Sequence, residues 1–75
     1  MRIKWEYIRK EKLWFGSIRG CGTNVYSEGR FWWWELFPSA HSDKIVEEGT
    51  TKSLKSAKRK ASTALVACAK RKKRA

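Results

Sequence analysis

The 75-residue sequence has little of what metal sites and membrane anchors require. It contains one histidine, His41, and two cysteines, Cys21 and Cys68, which form no Cys-x-x-Cys pair. A structural zinc takes about four nitrogen or sulfur ligands, so we expect no metal and no other cofactor, and we expect both thiols to be reduced. No apolar run approaches the roughly 20 residues of a membrane span. No signal peptide opens the chain, which favours a cytoplasmic protein.

Catalytic signatures are lacking as well. Glu47 and Glu48 are adjacent, so in a strand their carboxylates point to opposite faces and cannot form an acid/base dyad. The chain has neither a glycine-rich phosphate loop nor a Gly-x-Ser-x-Gly motif. A single histidine in a polar segment is more typical of a solvated loop than of a general base. We therefore expect no enzymatic activity.

Acidic residues are absent from the last third of the chain. Residues 52–75 hold ten lysines and arginines and no acid, whereas residues 1–51 hold eight and all seven acids. Of the net charge of +11, +10 therefore lies after residue 51. Such asymmetry is typical of proteins that bind nucleic acid or an anionic membrane, and the simpler alternative is a solvated basic tail.

The first fifty residues are patterned as short strands. Residues 3–9 alternate, with Ile3, Trp5 and Tyr7 on one face, and a period of two predicts a half-buried strand. Further strands are predicted for four segments separated by charged or glycine-containing turns: 13–19, 23–26, 31–37 and 44–50. The predicted fold class is α+β, an antiparallel meander of about 4–5 short strands over residues 2–50 packed against one C-terminal helix.

That helix is predicted to span about residues 53–70, with Ser53 as its N-cap and Thr51 as the alternative. Its apolar stripe is mostly alanine: Leu54, Ala57, Ala61, Ala64, Leu65 and Cys68. A helix face of small residues fits a sheet face crowded with indole rings, and without aromatic residues it is a poor membrane anchor. We predict one domain over residues 1–69 and a basic tail over residues 70–75.

The segment "FWWWELF" (31–37) has large apolar residues on both faces of its strand. The wholly apolar face is assigned to the core and consists of Trp32, Trp34 and Leu36. Phe31 and Trp33 then lie on the opposite face. Three explanations stay open for them: cover by the stems of Arg19 and Lys4, burial in a homodimer, or contact with a ligand, including stacking on nucleic-acid bases.

The helix start carries cations where the peptide dipoles favour acids. Cations beside free backbone N–H groups are typical of anion sites, and phosphate is the obvious anion. The candidate phosphate-binding residues are Lys52, Lys55, Lys58, Arg59 and Lys60, with Lys70, Arg71, Lys72, Lys73 and Arg74 adding charge from the tail.

The stretch "GTTKSLKSAKRKASTAL" (49–65) resembles the last strand and helix of a double-stranded RNA-binding domain. That signature runs from a glycine to Ser-Lys-Lys-x-Ala-Lys and an alanine-rich helix, and Leu54 stands where it has its first lysine. The resemblance implies that Lys55 and Lys58 contact phosphates across a groove. The order of sheet and helix is also similar to three-stranded DNA-binding domains of phage integrase arms and plant ethylene-response factors, and to short strand-rich phage proteins.

We therefore expect a small basic protein that binds DNA or RNA, duplex slightly preferred, through phosphate contacts independent of sequence. The runner-up is a phage-type interaction module or inhibitor that binds a host protein through the aromatic outer sheet face. Salt dependence distinguishes the two, because binding to generic nucleic acid weakens steeply with salt.

Overall fold

The computed structural model describes residues 2–39 and 44–73. The fold is α+β, as predicted: one antiparallel sheet whose five strands follow the order of the chain, with one helix packed on it. The elements are β1 (Lys4–Ile8), β2 (Leu13–Ile18), β3 (Cys21–Glu28), β4 (Phe31–Phe37), β5 (Glu47–Thr51) and α1 (Leu54–Lys73). His41 lies outside the described residues.

The strand register divides the sheet into two chemically different faces. On the inner face, which α1 covers, one cross-strand row runs through Tyr7, Trp14, Val25, Trp34 and Gly49. On the outer face, a row runs through Glu6, Phe15, Asn24, Glu35 and Glu48. A shift by one residue would exchange the two faces, so the burial of Val25 and Trp34 on the inner face fixes the register.

The core confirms the predicted facing of the aromatic strand. Trp34 and Leu36 are buried in one cluster with Ala57, Ala61 and Leu65 of α1, while Trp32 is only half-buried at its margin. Trp33 lies on the outer face, as expected. The alanines let the helix backbone approach the indole of Trp34, so large and small side chains fill the layer between sheet and helix.

Two tryptophans lie over glycines of the neighbouring strand. Trp5 is opposite Gly16 and Trp34 is opposite Gly49. A Cβ atom at Gly16 would come within 2.8 Å of the Trp5 ring, and one at Gly49 within 2.8 Å of Trp34 Nε1. In both pairs the missing side chain therefore provides the space that the indole occupies.

The turn between β2 and β3 has two residues in the left-handed region. Arg19 has φ of 48° and Gly20 has φ of 85°. Positive φ at both central positions is the pattern of a type I′ hairpin turn, whose twist matches that of the flanking strands. Glycine adopts this conformation without strain, whereas Arg19 does so at a cost.

The observed ends of several elements differ from the predicted bounds, most of all in β3, β5 and α1. β3 begins at Cys21 because Cys21 and Gly22 already pair with β2, and β5 begins at Glu47 rather than at residue 44. The helix begins after Ser53, whose Oγ accepts the Ser56 N–H at 3.2 Å, so the predicted N-cap is confirmed. It continues to Lys73, which includes the first four residues of segment 70–75.

Candidate nucleic-acid interface

The side of α1 that faces away from the sheet is densely cationic. Its lysines and arginines are exposed to solvent, and from residue 52 onward the sequence supplies no acid to neutralise them. We call this set the cationic helix surface: Lys52, Lys55, Arg59, Lys60, Lys70 and Arg71. All six are predicted site residues. Lys52 lies just before α1, and the other five are exposed on α1 itself.

The cations lie in two lines along the helix. At 3.6 residues per turn, Lys55, Arg59 and Lys70 fall within about 60° of one another, and Lys60 and Arg71 within about 20°. Lys55 and Lys70 are separated by about 22 Å along the axis at 1.5 Å per residue. The intervening residues are small or short, and they border a shallow depression of about 480 Å³ lined by Ser62, Thr63, Val66, Ala67 and Lys70.

Lys58 is placed differently from the other predicted phosphate-binding residues. It is half-buried, and its Nζ lies 3.6 Å from the centroid of the Trp14 ring and 5.1 Å from that of Trp5. Its ammonium group therefore occupies the aromatic edge of the inner face. The cation–π contacts of Lys58 join α1 to inner-face tryptophans of β1 and β2, so they leave open the three explanations for the outer-face residues Phe31 and Trp33.

The remaining predicted cations are only partly within the described structure. The backbone of Lys72 and Lys73 belongs to α1, which ends at Lys73. The side chains of these two residues and the whole of Arg74 lie outside the described part. Their roles stay predictions.

The start of α1 combines a satisfied cap with unfavourable charges. Ser53 accepts one backbone N–H, and the Thr51 hydroxyl donates to the Ser53 carbonyl at 2.8 Å. The first turn has no acidic residue, while Lys52 and Lys55 lie beside the positive end of the helix dipole. This arrangement is more stable with an anion nearby than without one.

The outer sheet face is aromatic and acidic. Phe31 is 47% exposed and Trp33 is half-buried, so the predicted stacking residues do reach this surface. Four glutamates share the face: Glu6, Glu28, Glu35 and Glu48. Glu35 and Glu48 are direct cross-strand neighbours, and like charges in that position are destabilising. The sequence alone did not predict this acidic face, because strand register decides which glutamates from different strands lie side by side.

Tyr26 lies in the negative electrostatic field of the outer face. Its hydroxyl lies 3.4 Å from Glu35 Oε2 and is oriented to donate to it. Burial, and then the charge and hydrogen bond of Glu35, raise the pKa of Tyr26 above its ordinary value of 10.0, with Glu28 and Glu48 adding to the effect. An anion would meet the same repulsion that opposes the tyrosinate.

A groove between α1 and β5 adjoins the cationic helix surface. Its volume is about 450 Å³, and Trp34, Glu47, Lys60 and Ala64 contribute to its walls. Within the described residues, the buried indole nitrogen of Trp34 has no hydrogen-bond acceptor. Glu47 contributes a negative charge to this groove beside Arg59 and Lys60, so the groove is a weaker site for phosphate than the outward side of the helix.

No helix in the described ranges is long and apolar enough to cross a membrane. Across residues 2–39 and 44–73, no group of three or more His, Cys, Asp or Glu side chains could hold a metal ion. The resemblance of residues 49–65 to nucleic-acid-binding domains rests on those residues alone. Comparisons of the chain with protein-family models, curated proteins and solved structures found no match.

Proposed function

We propose that the protein binds nucleic acid through phosphate contacts from the cationic helix surface, without reading base sequence. The observation that carries this proposal is the separation of charge. Exposed lysines and arginines cover the outward side of α1, and the glutamates of the sheet lie mainly on the opposite side of the molecule. A polyanion is the partner that such a surface attracts most strongly.

The shape of the surface supports duplex binding. A row of cations about 22 Å long can face several phosphates, because duplex DNA carries one negative charge per roughly 1.7 Å of its axis. Thr63 and Ala67 lie between the cations and are exposed, so no bulky side chain holds the nucleic acid away from the helix.

The outer sheet face is a poor platform for single strands. Stacking on Phe31 or Trp33 would bring phosphates close to Glu28 and Glu35. Stacking contributes roughly 1–3 kcal/mol per base, but the glutamates of this face would repel the nucleic-acid backbone. We therefore place the interface on the helix and keep duplex DNA or RNA as the preferred ligand.

The test is a salt titration of binding to labelled duplex DNA and duplex RNA, measured by fluorescence anisotropy. We expect Lys55→Glu with Arg59→Glu to weaken binding about tenfold or more. The matched control is Arg9→Glu with Lys10→Glu, which makes the same change in net charge at the exposed β1–β2 turn. The control should bind nearly as well as the wild type.

Two results would overturn the proposal. Wild-type protein that binds no nucleic acid at about 50 mM salt has no such function. Equal losses in the helix variant and the turn variant would mean that net charge, rather than the helix surface, determines binding. Circular dichroism of each variant establishes that it is folded.

A second candidate is an interaction module that binds a host protein through the outer sheet face. It is favoured by the exposure of Phe31 and by the glutamates around it, which suit a partner with basic side chains. Under this alternative, the protein does not bind generic duplex. Phe31→Ser with Trp33→Ser would abolish its interaction with the partner and would leave the helix unchanged.

A further inference from the structure

Cys21 and Cys68 meet in the core, although 47 positions separate them in the chain. Cys21 is the first residue of β3 and is fully buried; Cys68 lies in the last third of α1 and is 6% exposed. Their Sγ atoms are 2.6 Å apart. The contact joins the sheet directly to the helix.

The two sulfur atoms lie in apolar surroundings. Both residues belong to the apolar core cluster, with Ile18, Leu65 and Ala69 among its members. Within the described residues, no third potential metal ligand joins them. Packing alone would be served as well by alanine or valine, whereas two adjacent thiols have a specific covalent chemistry.

We propose that Cys21 and Cys68 form a reversible intramolecular disulfide that fastens α1 to β3 when the protein meets a disulfide oxidant such as oxidised glutathione. A disulfide has an S–S distance of about 2.05 Å, which the pair can reach by a small movement of the two side chains. The pair remains a dithiol in a reducing compartment.

The chemistry proceeds by two exchange steps. One thiolate attacks a sulfur of oxidised glutathione, which forms a protein–glutathione disulfide and releases one glutathione thiolate. The second cysteine thiolate attacks the protein sulfur of that mixed disulfide and releases the second glutathione. The two thiols lose two protons and two electrons, and one oxidised glutathione becomes two reduced molecules.

Access to the buried sulfurs requires a local opening of the C-terminal part of α1, which is where helices fray most readily. Closure of the bond then restricts the unfolded chain, and the effect is large because the closed loop is long. We expect the melting temperature of the oxidised protein to exceed that of the reduced protein by roughly 10 °C or more.

The experiment treats folded wild-type protein with oxidised glutathione, then alkylates remaining thiols in denaturant and measures the mass. The expected product has lost two hydrogen atoms, carries no alkyl group and no glutathione, and yields a peptide pair joined through Cys21 and Cys68. Dithiothreitol should reverse both the mass change and the rise in melting temperature.

The matched control is Cys68→Ser with Ala67→Cys, which moves the thiol one position to an exposed site on α1. It should accumulate the mixed glutathione disulfide and close an intramolecular bond much more slowly. The proposal is wrong if wild-type protein yields only glutathione adducts or intermolecular dimers, or if the control variant closes as fast as the wild type. The reversible melting shift of the wild type decides the matter even if the variant does not fold.

Discussion

The ammonium nitrogen of Lys58 lies 3.6 Å from the centroid of the Trp14 ring, which brings a charged helix residue onto the aromatic edge of the sheet. The centroid of the Trp5 ring is 5.1 Å from the same nitrogen. Tyr7 extends the aromatic group, with its ring 5.1 Å from that of Trp14 and tilted by 56°. Lys58 therefore fixes the first turns of α1 against β1 and β2 as well as adding charge.

Replacement of Lys58 by methionine should lower stability although the new side chain has similar length. Cation–π contacts contribute about 0.5–2 kcal/mol, according to how far the cation is removed from water. We expect a loss in that range, measured by urea unfolding, and a smaller loss for Lys58→Arg, which keeps the charge. Lys55→Met is the matched control on the exposed side and should change stability by less than about 0.5 kcal/mol. Equal losses at both positions would contradict the structural role of Lys58.

A methyl group at Gly49 should destabilise the protein because it would overlap the buried indole of Trp34. The nearest ring atom, Nε1, would lie 2.8 Å from the new Cβ. Overpacking of this kind costs about 1–3 kcal/mol, and thermal unfolding of Gly49→Ala measures it. Gly29→Ala is the comparison for backbone strain without steric overlap, because Gly29 has φ of 66° but open space around it.

A second substitution at Trp34 tests the same overlap. Trp34→Phe removes the ring atoms nearest to Gly49, so Gly49→Ala should cost less in the Trp34→Phe background than in the wild type. A double-mutant cycle measures that difference directly. Additive effects would show that Trp34 and Gly49 do not interact in the way their geometry indicates.

Much of the fold was predictable because alternation and helical periodicity are local properties of the chain. The period of two in β4 assigned Trp34 and Leu36 to the core, and the alanine stripe identified the buried side of α1. The start of β3 was not predictable, because glycines on both sides of Cys21 are typical of a turn. The pairing of Cys21 with Ile18 in the neighbouring strand overrides that local preference.

The candidate site was predictable in composition but not in arrangement. Any helix over these residues exposes Lys55 and Arg59 opposite the alanine stripe, so the cationic side of α1 follows from spacing alone. The position of Lys58 over Trp14 depends on where the helix packs on the sheet. The proximity of Glu35 to Glu48 depends on strand register, which no local pattern of β5 specifies.

Tyr26 should ionise at higher pH in the folded protein than in the unfolded chain. Because its folded-state pKa is raised above 10.0, the folded protein holds the phenol proton more tightly. The resulting stability is fully present below about pH 10 and is lost as the pH rises through the folded-state pKa. An ultraviolet titration in the Tyr7→Phe background measures Tyr26 alone, since the chain has two tyrosines.

Glu35→Gln tests the cause of that shift. It removes the nearest negative charge but leaves Tyr26 in place, so the pKa of Tyr26 should fall towards 10.0 while burial keeps it above that value. A folded-state pKa of Tyr26 at or below 10.0 in the Tyr7→Phe protein would contradict the described environment.

The distal end of the cationic helix surface should contribute to phosphate binding in proportion to its charge. Lys70→Gln with Arg71→Gln removes two exposed cations near the end of α1, where positive charge is favourable for the helix dipole. We expect weaker binding to duplex DNA and duplex RNA, and a slope of log affinity against log salt that is shallower by about 0.9 for each DNA phosphate that the variant no longer neutralises. The matched control is Lys4→Gln with Lys10→Gln, which removes two exposed cations from β1 and the β1–β2 turn. It should leave the slope unchanged. An unchanged slope in the helix variant would confine the interface to Lys52, Lys55, Arg59 and Lys60, because cations that do not touch phosphate release no counterions.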